Sequence, residues 1–369
     1  MIYQHLSGYH TYDCADDLKS DPLFNMIFKN KIASQPTLSR INDDVNDDML
    51  KLLHRTNFQL LDNKYSIQKP SVVVLDCDSI GVTTHGEQEL ANYNAHYQEL
   101  SYHSLLLFDG ETGDFIKADL RKGSDYTSTG VVDFITPVIE YYQKHRLDRL
   151  YFRADSGFAT PELYDLFEEN KNQVTYVIRL KANNKLHEAV RDSENQFYDS
   201  NNLLQYEEFM YQASSWKKAR RVVCKLEKKE DELLVTKTFI VTNDSVMTPR
   251  AIFDFYLNRG TMENYIKESK LGFNLNNLSS HSFNTNYYHM YVKLLSYNLN
   301  NFFRTIILPQ DSQVYRIETL RTKVIKIAAK IVKTGRQFFI KMSQSYPYKR
   351  LFERIYYRII NLQIKILRS

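Results

Sequence analysis

Tyr256, Arg259, Glu263 and Lys270 stand at spacings of three, four and seven in the run YLNRGTMENYIKESK, residues 256–270. On one continuous helix those spacings bring all four side chains to one face, and Lys267, four residues past Glu263, joins them. A single carboxylate among an arginine, two lysines and a phenol serves no packing purpose. It suits metal-assisted chemistry on a phosphate, in which the acid binds a cation while the cationic side chains hold the substrate backbone.

Other acids can complete such a site. SVVVLDCDSI (71–80) is a short β-branched apolar run ending in acids, expected to be a buried central strand whose carboxyl end opens into a site. Asp76 and Asp78 are two apart and so project from the same face. Asp155 closes RLYFRAD just ahead of Ser156 and Gly157, where an open α/β sheet presents its ligands. Each aspartate alone is more often a loop cap or a salt-bridge partner. Together with the cation-decorated helix they can set three carboxylates around one point, the ligand set of hard divalent cations. Two such ions, roughly 3.5 to 4 Å apart, activate a water on one side of a phosphodiester and stabilise the leaving oxygen on the other, so no nucleophilic Ser or Cys is required.

The remaining candidates read as structural. His85, His96 and His103 lack a zinc spacing. Asp109 and Asp114 bracket the turn DGETG, and the isolated Gly81, Gly86 and Gly123 make no phosphate-cradling loop. Trp216, beside Lys217, Lys218, Arg220 and Arg221, suits either stacking on an unpaired base or anchoring a small β-domain.

The elements that must position these residues follow from pattern. Residues 1–65 read as helical and polar, with a break at ASQPTLSRIND (33–43) where Thr37 or Ser39 caps the next helix. After the 71–80 strand come a hairpin (101–108 and 114–121), a helix through VVDFITPVIEYYQKH kinked at Pro137, a strand through DRLYFRADSGF, a helix begun by Thr160 and Pro161, and a fifth strand, QVTYVIRLKA. Three strands, helix, strand, helix, strand indicate a mixed α/β sheet. YEEFMYQ, ARRVVCKLE and LLVTKTFIVTN then read as a β-rich insertion, and NYYHMYVKLLSYNLNNFFR (286–304) and RIETLRTKVIKIAAKIVK (316–333) as long helices. The expected regions are a helical 1–65, a core of 66–184 and 250–285, the insertion 185–249, and a basic helical 286–369.

Composition narrows the setting. A chain of 369 residues, 43% hydrophobic and 25% charged, fits a globular protein of two or three domains. Three cysteines far apart without CxxC spacing point to a reducing cytoplasm, and no signal segment or apolar span suggests secretion or a membrane. The net charge of +4 is uneven: from Ser312 onward fourteen Lys and Arg face only Glu318 and Glu353. Such a tail suggests a polyanion partner, nucleic acid being the commonest, against a solvated helix face or a membrane-surface helix.

The residues resemble those of bacterial insertion-sequence transposases of the cut-and-paste DDE class, in the branch marked by Tyr-x2-Arg-x3-Glu-x6-Lys. Tyr256, Arg259, Glu263 and Lys270 match that signature without a gap, and the resemblance extends through LDCDSI, HGEQE, LRKG, LYFRADSGF, VIRLKANN, SSWKKARRVV and FIVTN. It implies a ribonuclease-H-like mixed sheet interrupted by a β-rich insertion. By the same resemblance Asp78, Asp155 and Glu263 would be the catalytic, metal-binding acids, with Asp76 a group that supports them from behind or a competitor for the first role. Tyr256, Arg259, Lys267, Lys270 and Arg121 of LRKG would hold DNA phosphates, and Trp216 with Lys217, Lys218, Arg220 and Arg221 would engage a flipped base or hairpin. The implied cofactor is a pair of Mg²⁺ ions, replaceable by Mn²⁺. The implied partners are double-stranded DNA, as terminal inverted repeats and target, and a second copy of the chain, on the bacterial nucleoid. GYHTYDCADDLKSDPLF starts almost at Met1, where related chains carry a further segment, so a shortened amino-terminal region is expected. Two rival readings share these features: a non-cutting repressor that occupies transposon ends, and a ribonuclease-H-like nuclease. A two-carboxylate glycosidase gives no reason for the Arg/Lys stripe or the basic tail.

Overall fold

The computed structural model describes residues 1–362 apart from 30, 146, 170–172, 201 and 229–233. Lys365 and Arg368 of the basic tail, and Leu233 at the start of LLVTKTFIVTN, lie outside the described residues. The chain divides into two compact units, one of Pro70–Gly81 and His103–Glu263, the other of Met1–Lys69, Val82–Tyr102 and Asn264–Ser369.

The first of these holds most of a mixed sheet. Its strands are β1 (Val72–Thr83), β2 (Asn92–Asn94), β3 (Glu99–Asp109), β4 (Phe115–Asp119), β5 (Arg149–Ala154), β6 (Val174–Leu180), β7 (Leu204–Tyr211), β8 (Arg220–Glu227) and β9 (Thr236–Thr242). They run in the order β4-β3-β1-β5-β6-β9-β8-β7, while β2 pairs with the first residues of β3. β1, β5 and β6 are parallel, joined by crossovers containing the helices Val131–Gln143 and Pro161–Glu168. β1 is buried without interruption from Val73 to Cys77, as a strand covered on both faces should be. This is the mixed α/β sheet that the pattern of strands and helices indicates.

The β-rich segment is continuous with that sheet. β9 pairs antiparallel with β6 from Val177–Thr242 to Leu180–Phe239, and β8 and β7 follow outward. Without them β6 would present an open edge. They also form a floor: Ile252 and Phe253 of the helix Pro249–Leu257 pack on Val177, Val223 and Ile240, with Phe255 and Tyr256 against the same cluster. The inserted strands therefore support the helix leading to Arg259.

Asp109 closes the hairpin turn as expected. Its Oδ1 accepts from the backbone N–H groups of Val74 and Glu111, its Oδ2 from the Thr112 hydroxyl, and Gly113 takes φ +73°. Burial, and then the neighbouring Asp114, push the Asp109 carboxyl up to about 7. A raised folded-state value means that the folded chain holds this proton more tightly than the unfolded chain does. Its contribution to stability is complete below the unfolded value of ~4 and is lost as pH rises through about 7. Asp109→Asn, which cannot ionise, should therefore gain in melting temperature relative to the parent as pH rises through that window. A constant difference between the two melting curves would show that Asp109 does not titrate there.

In the other unit the helices Ile2–Leu6 and Asp47–Ile67 pack on Phe283–Phe302, and the buried Asn57 and Asn298 amides bond across the latter pair. Two expectations change here. The break at 33–43 is a helix, Gln35–Asp44, with Pro36 in its first turn, where a missing N–H costs nothing. The chain breaks instead at 45–46, where the Asn46 side chain accepts from the Met49 N–H and starts Asp47–Ile67.

The second change is in the tail, where 316–333 is not one long helix. Only Ile317–Leu320 and a wider turn to Ile325 are helical, and Ala329–Thr334 pairs antiparallel with Gln337–Met342. Ile331, Val332 and Thr334 are β-branched, and Gly335 at φ +61° opens the two-residue turn that registers Thr334 against Gln337. Phe338, Phe339 and Ile340 on the returning strand are exposed. Among the described residues no helix is long and apolar enough to cross a membrane.

Candidate active site

Parallel register sets the site. β1 and β5 pair Asp76 with Arg153 and Cys77 with Ala154, so the next step along both strands brings Asp78 level with Asp155. Alternation then puts the Asp76–Arg153 rung and the Asp78–Asp155 rung on one face of the sheet.

The inner rung is a fully buried ion pair. Arg153 Nε donates to Asp76 Oδ1 at 2.6 Å and Nη2 to Oδ2 at 2.7 Å, with both side chains at 0% exposure. Arg153 Nη1 donates to the Phe255 carbonyl, and its guanidinium lies 4.9 Å from the centre of the Phe255 ring. Strand β1 is thereby clamped to the end of the Pro249–Leu257 helix. Gly110 admits this geometry, since a Cβ there would collide with Asp76 Oδ2 and sit 2.7 Å from Arg153 Nη2. Burial raises the Asp76 carboxyl to about 6, opposed by its bonds to Arg153. Closed off by its arginine, Asp76 is a positioning group, whereas Asp78, one rung further along the strand, is partly exposed. Arg153 and Gly110 escaped the sequence reading. The available signal was a lone arginine inside an apolar strand.

The outer rung faces a cation. Arg259 Nη2 lies 2.9 Å from Asp78 Oδ1 and 3.9 Å from Asp155 Oδ2. Asp78 is 19% exposed and also accepts from the Ser79 N–H, while Asp155, 43% exposed, caps the turn after β5 through Gly157 N–H to Oδ1. Asp155 thus uses one oxygen as a loop cap and turns the other toward Arg259. Gly157 lets Thr127 approach, for a Cβ would stand 2.9 Å from Thr127 Cγ2.

Burial holds Asp78 above the usual carboxylate range; Arg259 pulls it down, while Asp155 and Glu263 add repulsion. Burial works against the charge of Arg259, but Asp78 and Asp155 outweigh it and hold the guanidinium above its ordinary value. Tyr256, raised by burial, senses the same charges.

The Tyr-Arg-Glu-Lys residues do not share one helix. Tyr256 ends Pro249–Leu257, Arg259 sits in the turn, and Glu263 lies in the first turn of Gly260–Phe273. Bonds from Arg259 N to Tyr256 O, Thr261 N to Asn258 O and Met262 N to Arg259 O, each 3.0 Å and each spanning three residues, tighten the chain there. Gly260 weakens helix continuation at that point. The bend aims Arg259 at the strand ends. Lys267 and Lys270 follow along Gly260–Phe273 in the portion belonging to the other unit.

Trp216 takes the anchoring role. It is 7% exposed, edge-on to Tyr164 and Tyr211, with the Arg220 guanidinium 5.3 Å from its ring centre. Its basic neighbours are engaged with acids: Lys217 with Asp165, Lys218 with Glu168, Arg220 with both, and Arg221 with Glu208. Arg121 is buried and donates to the carbonyls of His103, Tyr126, Thr127 and Thr129, so it shapes the 121–130 loop. Of these six, Trp216, Arg220 and Arg121 are buried, while Lys217 and Lys218 keep 82% and 61% of their side chains exposed.

Among the described residues, no three His, Cys, Asp or Glu form a preformed metal cluster. The donor set nonetheless fits a hard divalent ion, because Asp78 and Asp155 offer carboxylate oxygens that already share a cationic neighbour.

The chain matches the family described as transposase DDE domain group 1 over residues 1–364. No curated protein matches it. Among solved structures, the piggyBac transposase synaptic complex with hairpin DNA is similar at a TM-score of 0.45 and 13% identity, over 87% of this chain and 67% of that one. With acids at neighbouring parallel strand ends and a family match spanning nearly the whole chain, this protein belongs to the DDE-domain transposases of group 1.

Proposed function

We propose that the chain is a divalent-metal-dependent DNA transposase that cuts at insertion-sequence ends and joins them to new sites by a cut-and-paste route. The observation that carries this reading is the pairing of Asp78 and Asp155 at adjacent parallel strand ends around one shared cation. Mg²⁺ or Mn²⁺ ions held by Asp78, Asp155 and Glu263 would supply an activated oxygen nucleophile and charge neutralisation at the leaving oxygen. Asp76, locked to Arg153, fixes the strand that presents Asp78. Arg259 and Tyr256, with Lys267 and Lys270, hold phosphates of the transposon end. After the first cut, the freed 3′ hydroxyl attacks a second phosphodiester, first within the end to form a hairpin and then, once that is opened, in target DNA. Each end needs a catalytic centre, so the working assembly is a homodimer on DNA. The 66–184 and 250–285 segments form the catalytic core, 185–249 braces it, and the basic 286–369 region supplies non-specific DNA affinity.

The decisive experiment incubates the full chain with a supercoiled plasmid and a labelled duplex carrying the element's end, with Mg²⁺ or Mn²⁺. Covalent transfer of the label into plasmid, lost in Asp78→Asn, is expected. Nicking without transfer would assign a nuclease instead, and tight binding without cutting a repressor.

A further inference from the structure

We infer that Arg259 is a resident counter-ion of the catalytic carboxylates, one that an entering divalent cation must expel and that is thereby released to grip a phosphodiester. This rests on the metal-dependent reading above and adds a coupling between metal loading and DNA binding.

The two arginines of the site differ in a telling way. Arg153 presents its fork to Asp76 through two parallel bonds, the geometry of a permanent ion pair. Arg259 instead offers one nitrogen, near to Asp78 and more distant from Asp155, and its buried Nε has no hydrogen-bond partner among the described residues. An unpaired buried donor is costly, so this pose is incomplete as a structural bond and leaves part of the fork unspent. Arg259 also sits in the turn between two helices, and a Cβ at the following Gly260 would meet nothing within 4 Å.

Charge supplies the trigger. Asp78 and Asp155 side by side, with Glu263 felt by Asp78, repel one another, and Arg259 offsets that repulsion while no metal is bound. A divalent ion held by Asp78 and Asp155 would take over this neutralisation and repel the guanidinium. The freed Nε and Nη2 then form a planar fork suited to phosphate oxygens. Since coupling is reciprocal, bound phosphodiester that holds Arg259 away should tighten metal binding in turn.

The test titrates Mn²⁺ calorimetrically into the full chain, its Arg259→Gln and Arg259→Lys variants, and Asp78→Asn. A neighbouring opposite charge shifts proton binding to a carboxylate by roughly one to three powers of ten, and a metal competes for the same lone pairs. Arg259→Gln should therefore bind Mn²⁺ about ten- to a hundredfold more tightly, with Arg259→Lys near the parent. A purely structural role for Arg259 would weaken binding. Unchanged or weaker binding in Arg259→Gln, with Asp78-dependent binding intact in the parent, overturns the counter-ion and leaves the metal reading standing. No Asp78-dependent binding in the parent sinks both. Should Arg259→Gln not fold, the parent decides: Mg²⁺ should shift the Arg259 Nε–Hε resonance, and an unmoved resonance at saturating Mg²⁺ overturns the inference.

Discussion

Glu263→Gln should leave a folded chain that binds transposon-end DNA as well as the parent does and cuts it about a thousandfold more slowly or not at all. Glu263 is exposed in the first turn of Gly260–Phe273, so an isosteric neutral replacement costs little stability. The charge it removes is one that Asp78 feels. Losing one carboxylate ligand from a metal-assisted phosphoryl centre forfeits several kcal/mol of transition-state stabilisation, and ~4 kcal/mol corresponds to a thousandfold in rate. Binding should hold or tighten slightly, because a negative charge near the phosphate backbone has gone. Gel-shift and Mg²⁺-dependent nicking assays on one preparation separate the two effects. Retained nicking would remove Glu263 from the catalytic set.

Asp76→Ala is expected to be the most damaging substitution to the fold itself, by about 3 to 5 kcal/mol, because it strands a fully buried guanidinium. Against a typical total stability of about 5 to 15 kcal/mol, that loss approaches unfolding at physiological temperature. Removing both partners, as in Asp76→Leu with Arg153→Met, should recover much of the loss, since no buried charge is then left alone. Denaturant unfolding of the single and double variants measures this directly. A single-variant loss below about 1 kcal/mol would mean that solvent reaches Arg153, and the clamp between β1 and the Phe255 carbonyl would no longer account for how Asp78 is placed.

Much of this was legible before any coordinates. The apolar runs VVVLDC, LYFRA and VTYVIRL are strands because β-branched and aromatic residues without polar alternation suit a doubly covered sheet, and they became β1, β5 and β6. The DGETG turn and the Thr160–Pro161 helix start followed from local chemistry alone. The tail misled because Lys and Ile at mixed spacings satisfy a helix and a strand equally. A single glycine at position 335, in a conformation other residues resist, favoured the hairpin.

By itself the sequence singled out the residues proposed to carry chemistry: Asp76 or Asp78, Asp155 and Glu263 as acids, with Arg259 among the cations, in strands and helices whose periodicity is local. Only the tertiary structure decided how those roles divide. Strand register, which depends on partners distant in the chain, sets Asp76 against Arg153 and brings Asp78 level with Asp155. It also turned Trp216 and Arg220 inward onto Tyr164, Asp165 and Glu168, since burial and charge pairing arise between segments that sequence spacing does not relate. The kink at Arg259 is of the same kind. A helical repeat predicts one face, but the guanidinium reaches two strand ends only because the chain tightens there.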